Sequence, residues 1–280
     1  MLKTGCLPVL MYICDDFLKE RDAAVAKGSL RKENLFGKKK FGIEKLIFWV
    51  LFLSMLGSVV FVCIRLVQTW GDESKAQRDY KLMLLQCVAG LLVIFLPMVL
   101  ERKWKIQIPS FMVSLYFIFL YCAIYLGEVR SFYKTVPHWD TVLHTFSGLM
   151  LGALGFVVVD WLNKSNFARV QLSPVFVGLF AFCFAVAAGA VWEIWEYAWD
   201  CTMNLNMQKY LTPEGVPLVG QAALWDTMKD IIVDTIGAFI IAVAGSISIK
   251  MRKNKENENN TVGLSSHDAE HKQEHYDIHT

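Results

Sequence analysis

The sequence predicts an all-α integral membrane protein, with about six transmembrane helices in one bundle and both termini cytoplasmic. Three observations carry that expectation. The 280-residue chain is 55% hydrophobic and only 19% charged. Its charges are clumped, leaving apolar runs at about 46–67, 82–100, 111–127, 141–159, 174–195 and 227–249. Each run reaches or approaches the roughly 20 apolar residues a helix needs to cross a bilayer. The third observation is the distribution of lysine and arginine, which are retained on the cytoplasmic side. With the N-terminus inside, inner segments carry twenty of them and outer segments six.

The elements follow in order. Residues 1–45 form a basic cytoplasmic leader in which Lys38-Lys39-Lys40 abuts the first span and fixes topology. Its first residues have no apolar stretch, so they read as neither a cleaved signal nor a lipidation site. Residues 46–249 form the six-helix domain, where Arg65 snorkels from the end of the first span. The longest outer connection, 200–225, contains Pro213, Gly215, Pro217 and Gly220 and is expected to turn rather than form one helix. Residues 250–280 read as a polar, disordered cytoplasmic tail; His267, His271, His275 and His279 recur every fourth position there, a loose metal-binding pattern. The seven cysteines, four of them within spans, do not form a disulfide framework. Nothing in the charge pattern points to nucleic acid, and the bilayer itself is the expected partner.

Three stretches stand out where spans meet water: Trp139-Asp140-x-x-x-His144, Glu193-x-x-Glu196-x-x-x-Asp200, and Asp226-x-x-x-Asp230-x-x-x-Asp234. Acids beside or within a span are costly and normally face a protein interior or a polar cavity. Topology puts all three on the outer side. Trp192, Trp195, Tyr197 and Trp199 resemble an interfacial aromatic belt, which sets the depth of their neighbours. Asp140, His144 and Ser147 share one helical face, and Asp234 lies about 12 Å below Asp226 at 1.5 Å per residue. Gly148, Gly152, Gly155, Gly189 and Gly237 allow close helix approach.

Two carboxylates 5 Å apart repel by about 3 kcal/mol at an effective dielectric of 20. Lys229 is the one basic residue inside a motif. The expectation is therefore that a divalent metal, bound protons or a cationic substrate balances the cluster. Asp140, His144, Glu193, Glu196, Asp226, Asp230 and Asp234 are the candidate metal ligands, with Asp226 and Asp200 toward the rim and Ser147 as a hydrogen-bonding partner. Oxygen donors with one imidazole suit Mn²⁺, Mg²⁺, Fe²⁺ or Zn²⁺, and there are enough carboxylates to bridge two ions. Glu193, Glu196 and His144 are the candidate catalytic groups. Taken singly, Asp140 and Asp226 are also explained as helix-starting acids.

These motifs resemble the YjdF-like family of bacterial inner-membrane proteins over about residues 111–249. The residues that carry the resemblance are Gly127-Glu128, Tyr133, Trp139 to His144 with Ser147-Gly148, Trp192 to Glu196, Trp225 to Asp230, Asp234 and Gly237-Ala238. Asp140-x-x-x-His144 is also similar, more loosely, to the start of a helix in VanZ-like membrane proteins. The resemblance implies a multi-pass protein of the bacterial cytoplasmic membrane and supports the grouping of the motifs.

The functional expectation is a metal-dependent membrane hydrolase acting on a lipid or lipid-linked cell-envelope substrate. A transporter of divalent cations or protons and a non-catalytic membrane partner protein are the alternatives. The topology is directly testable. In a cysteine-free background, Glu214→Cys should react with an impermeant maleimide in intact cells, and Asn259→Cys only after permeabilisation. Labelling of Asn259→Cys in intact cells overturns the orientation.

Overall fold

The computed structural model describes the backbone at residues 43–69, 71, 75–106, 108–164, 172–212 and 214–277, and side chains between Lys45 and Asn254 except at 75 and 164. Leader residues 1–42, His279 and the side chains of His267, His271 and His275 lie outside the described residues, as does Pro213. Among the described residues, six helices are long and apolar enough to cross a membrane. The architecture is all-helical.

Helix α1 spans Ile43–Gln68, and α2, Lys75–Val93, continues after a break as α3, Leu96–Lys103. Pro97 causes the break, because it has no N–H for the Val93 carbonyl. The Tyr116 hydroxyl donates to that carbonyl at 2.6 Å, satisfying it from the next helix. Helix α4, Ser110–Leu120, widens into a π-helix over Tyr121–Val129, and a short α5, Phe132–Thr135, follows. The chain then forms α6, Trp139–Lys164, α7, Pro174–Met203, and α8, Gln221–Asp277. Ser173 caps α7 by accepting from Phe176 N at 3.2 Å, with Pro174 in the first turn.

Helix α8 runs on to Asp277. The backbone of 250–277 is thus helical, where the sequence reading has an irregular tail. No proline follows Pro217 to stop the helix.

Two packing groups divide the bundle. Phe48, Leu51 and Met55 of α1 pack with Cys87 of α2, Ile94 and Phe117 of α4 in an ordinary large-side-chain core. Helices α6, α7 and α8 instead meet backbone to backbone. A Cβ at Gly148 would collide with the Asp234 carbonyl, one at Gly237 with the Thr145 carbonyl at 2.6 Å, and one at Gly155 with the Ala181 backbone at 2.7 Å. This is the small-residue contact by which membrane helices gain van der Waals energy where lipid offers no hydrophobic drive. Leu53, Ile64, Leu92, Leu179, Ile194 and Phe239 stay exposed and present an apolar surface to the acyl chains. The described cysteines are all free thiols.

Gly148→Ala should therefore lower stability by about 1–3 kcal/mol, since the obstacle is backbone and α6 must move away from α8. Gly57→Ala is the control, because its Cβ meets nothing within 4 Å. Thermal unfolding in detergent should separate the two variants; equal melting temperatures would contradict the close contact.

Candidate metal centre

The first turn of α6 is held in place by the π-helix. Trp139 Nε1 donates to the Cys122 carbonyl at 3.3 Å, and the Trp139 ring meets Phe132 edge-on with centroids 5.1 Å apart. Wide π turns recur at functional sites because they re-aim backbone groups in this way. Asp140 then opens α6, with His144 and Ser147 on the same face one and two turns deeper.

His144 is the hub. Its Nδ1 lies 3.1 Å from Asp234 Oδ2. Its Nε2 points between two carboxylates, 3.7 Å from Asp140 Oδ1 and 3.8 Å from Asp230 Oδ2. Ser147 Oγ is 2.5 Å from Asp234 Oδ1 and 2.8 Å from the His144 carbonyl, so both Asp234 oxygens are engaged. Asp234 fits because α6 and α7 are bare beside it: a Cβ at Gly189 would stand 3.1 Å from its Oδ2, and Gly148 lies against its backbone. One donor atom each from Asp140, His144 and Asp230 lies within 4.8 Å of the other two. A carboxylate behind the imidazole fixes the ring and its tautomer, as is usual for metal-bound histidine.

The remaining oxygens face ammonium groups. Lys209 Nζ is 2.5 Å from Asp140 Oδ2 and 3.0 Å from both oxygens of Asp226. Lys229 Nζ is 3.4 Å from Asp140 Oδ2 and 3.2 Å from Asp226 Oδ1. It also pairs with Asp230 Oδ1 at 3.2 Å, at an angle too poor for a hydrogen bond. Burial works against the Lys209 charge, but Asp140 and Asp226 outweigh it and raise its pKa above the ordinary lysine value. Lys209 thus joins Lys229, the basic residue inside a motif, as a second ammonium on the acids. Lys209 is the lone basic residue of the 200–225 connection, and no spacing rule links it to Asp140.

Helix α7 contributes differently from the sequence expectation. Asp200 accepts from the backbone N–H groups of Met207 at 2.8 Å and Gln208 at 3.0 Å, so it anchors the connection rather than facing the centre. Glu196 accepts from Trp192 Nε1 at 2.9 Å, on its own helix. Glu193 is 5% exposed, and neither of its oxygens has a hydrogen-bond partner among the described residues. Gln208 and Thr227, joined at 2.9 Å, stand beside it outside bonding geometry. Asp226, 9% exposed, is turned to the two lysines.

The connection itself is built. Asn204 and Lys209 take left-handed backbone, with φ 52° and 50°. Leu211 N donates to Asn206 Oδ1 at 2.9 Å, Leu211 and Pro217 form an antiparallel bridge, and Leu205 and Met207 are buried. This folded strap carries Lys209 over the centre. Tyr133 packs its ring against Gly127, where a Cβ would collide with it. Burial raises the Tyr133 pKa well above the usual phenol range, reinforced by Asp140, Glu128, Glu196 and Asp230.

Fold and site define a six-span helical membrane protein with an Asp/His/Asp cluster at one end of its bundle. The chain belongs to the family described as "Predicted membrane protein (DUF2238)", whose model matches residues 47–251. That match is consistent with the YjdF-like resemblance and extends it over the first two spans. The chain is also similar to an uncharacterized protein of Thermotoga maritima, at 26% identity over 148 residues, 53% of this chain and 68% of that protein. No solved structure matches it.

Asp200→Ala should leave two strap N–H groups without their acceptor, at a cost of about 1–3 kcal/mol. Limited proteolysis is expected to cut between 204 and 220 faster in the variant than in the wild type. Unchanged cleavage would mean that the strap is held elsewhere.

Proposed function

We propose that this protein is a metal-dependent membrane enzyme whose centre is Asp140, His144 and Asp230. It hydrolyses a lipid or lipid-linked cell-envelope substrate at the outer face of the bacterial inner membrane. The observation that carries the reading is His144 Nε2, set 3.7 and 3.8 Å from two carboxylate oxygens while Nδ1 is committed to Asp234. These separations exceed hydrogen bonds. They approach the edge of about 3.4 Å spanned by two donors that share a tetrahedral metal with bonds of about 2.1 Å.

Protonation alone explains the arrangement less well. An imidazolium would direct its Nε2–H at acceptors more than 3.5 Å away. A neutral ring donating through Nδ1 to Asp234 turns a lone pair toward two anions, which is repulsive unless a cation lies between them. Charge supports one divalent ion. Asp140, Asp226, Asp230 and Asp234 against Lys209 and Lys229 leave two negative charges, before Glu193, the proposed base, is counted. One nitrogen with two oxygens favours Mn²⁺, Fe²⁺ or Zn²⁺, while Mg²⁺ prefers oxygen alone.

When bound, the ion supplies activated water and polarises the scissile group. Asp234 and Ser147 hold His144 in register. Glu193, buried without a partner, takes the proton from the attacking water as its oxygen bonds to the acyl or phosphoryl centre. It returns that proton to the ester oxygen that leaves. Trp192, Trp195 and Tyr197, all exposed, seat an amphipathic substrate at headgroup depth. Transport is the weaker reading because Asp234, the deepest acid of the cluster, has both oxygens tied to His144 and Ser147.

Elemental analysis of purified protein tests the centre. Wild type should carry one equivalent of a divalent metal, His144→Ala should carry none, and Asp234→Asn should bind about 10–100-fold more weakly. Glu193→Gln should keep the metal and lose hydrolysis. Metal-free wild type, together with cation flux in liposomes, would replace this reading with transport.

A further inference from the structure

We infer that the Lys209 ammonium takes the second cation position of the carboxylate cluster, so that the centre holds one metal ion and the strap supplies its neighbour. The inference rests on the metal reading of Asp140, His144 and Asp230.

The geometry is that of a bridged pair. Asp140 is divided between two positions, with Oδ1 facing His144 Nε2 and Oδ2 held by Lys209 at 2.5 Å. Asp226 chelates the same ammonium through both oxygens at 3.0 Å. Lys209 Nζ thus sits on three carboxylate oxygens from two helices. A carboxylate shared in this way is what links the ions of two-metal sites, which stand about 3.5–4 Å apart. Glu193 is a separate indication that a second ion could be ligated. It is 5% exposed, and neither oxygen is hydrogen-bonded among the described residues, although the Gln208 and Thr227 side chains stand beside it.

Charge leads to the same assignment. With Lys209 in place, the four aspartates need one divalent ion. Without it, the remaining charge of three invites a second ion onto Asp140, Asp226 and Glu193. Lys229 does not fill the gap, because its Nζ is already placed between Asp140, Asp226 and Asp230 at 3.2–3.4 Å. A tethered ammonium differs from a metal ion in one useful respect. It is delivered by a folded strap, so the fold of the 200–225 connection and the charge balance of the centre are coupled.

Full-length protein, stripped of metal and titrated with Mn²⁺, tests the assignment by stoichiometry and by electron paramagnetic resonance. Wild type should bind one Mn²⁺ with the signal of an isolated ion. Lys209→Ala should bind two, with the broadened signal of a spin-coupled pair, and Lys209→Arg should return to one. Lys209→Gln serves in place of Lys209→Ala if the latter does not accumulate. Two ions in the wild type, or one ion of unchanged affinity in Lys209→Ala and Lys209→Gln, would overturn the inference. No ion in any of these proteins would remove both this inference and the metal reading. An ion gained only when Lys209 is removed would overturn the inference as well, because the wild-type centre would then hold no metal beside the lysine.

Discussion

Everything at the centre depends on the direct approach of α6 to α8 at Gly148 and Gly237. Helices in a bilayer gain nothing from hiding apolar side chains, so they associate where backbones can touch. Here that contact does more than join two helices. It brings the backbone of Asp234 against α6, so that its short side chain reaches His144 Nδ1 at 3.1 Å and Ser147 Oγ at 2.5 Å. Gly189 leaves the corresponding space on α7. Larger residues at these positions would push the carboxylate away, and the imidazole would lose the group that orients it.

The second constraint is charge. Seven carboxyl groups from three helices gather at one end of an apolar bundle, where uncompensated charge is expensive. The protein meets this cost with partners of different kinds. Asp200 takes two backbone N–H groups, Asp234 takes an imidazole and a hydroxyl, and Asp226 takes two ammonium groups. Asp140 and Asp230 are only half satisfied by lysine, and their other oxygens flank His144 Nε2. Asp140 Oδ1 and Asp230 Oδ2 thus converge on one small gap beside His144 Nε2. Glu193 of α7 is buried as well, with neither oxygen hydrogen-bonded among the described residues.

The strap and the π-helix each fix part of the centre. The strap brings Lys209 down from the α7–α8 connection, and Asp200 fixes its path. The π-helix receives Trp139 at the Cys122 carbonyl and carries Gly127, on which Tyr133 lies. The two packing groups of the bundle therefore both serve the centre: α6, α7 and α8 supply its ligands and acids, while α4 and its π extension set the start of α6.

Much was legible in the chain itself. Run length and charge clumping determine the spans, because a bilayer demands about 20 apolar residues per crossing and penalises charge within it. Helical periodicity determines that Asp140, His144 and Ser147 share a face, since that follows from 3.6 residues per turn alone. Tertiary structure decided the rest. Which of seven candidate acids turn toward His144, and which anchor a loop or a tryptophan, depends on helix rotation, and that is set by glycine contacts between neighbouring helices. Lys209 was invisible for the same reason. It lies sixty-nine residues from Asp140, and only the fold of the strap brings its ammonium onto that carboxylate.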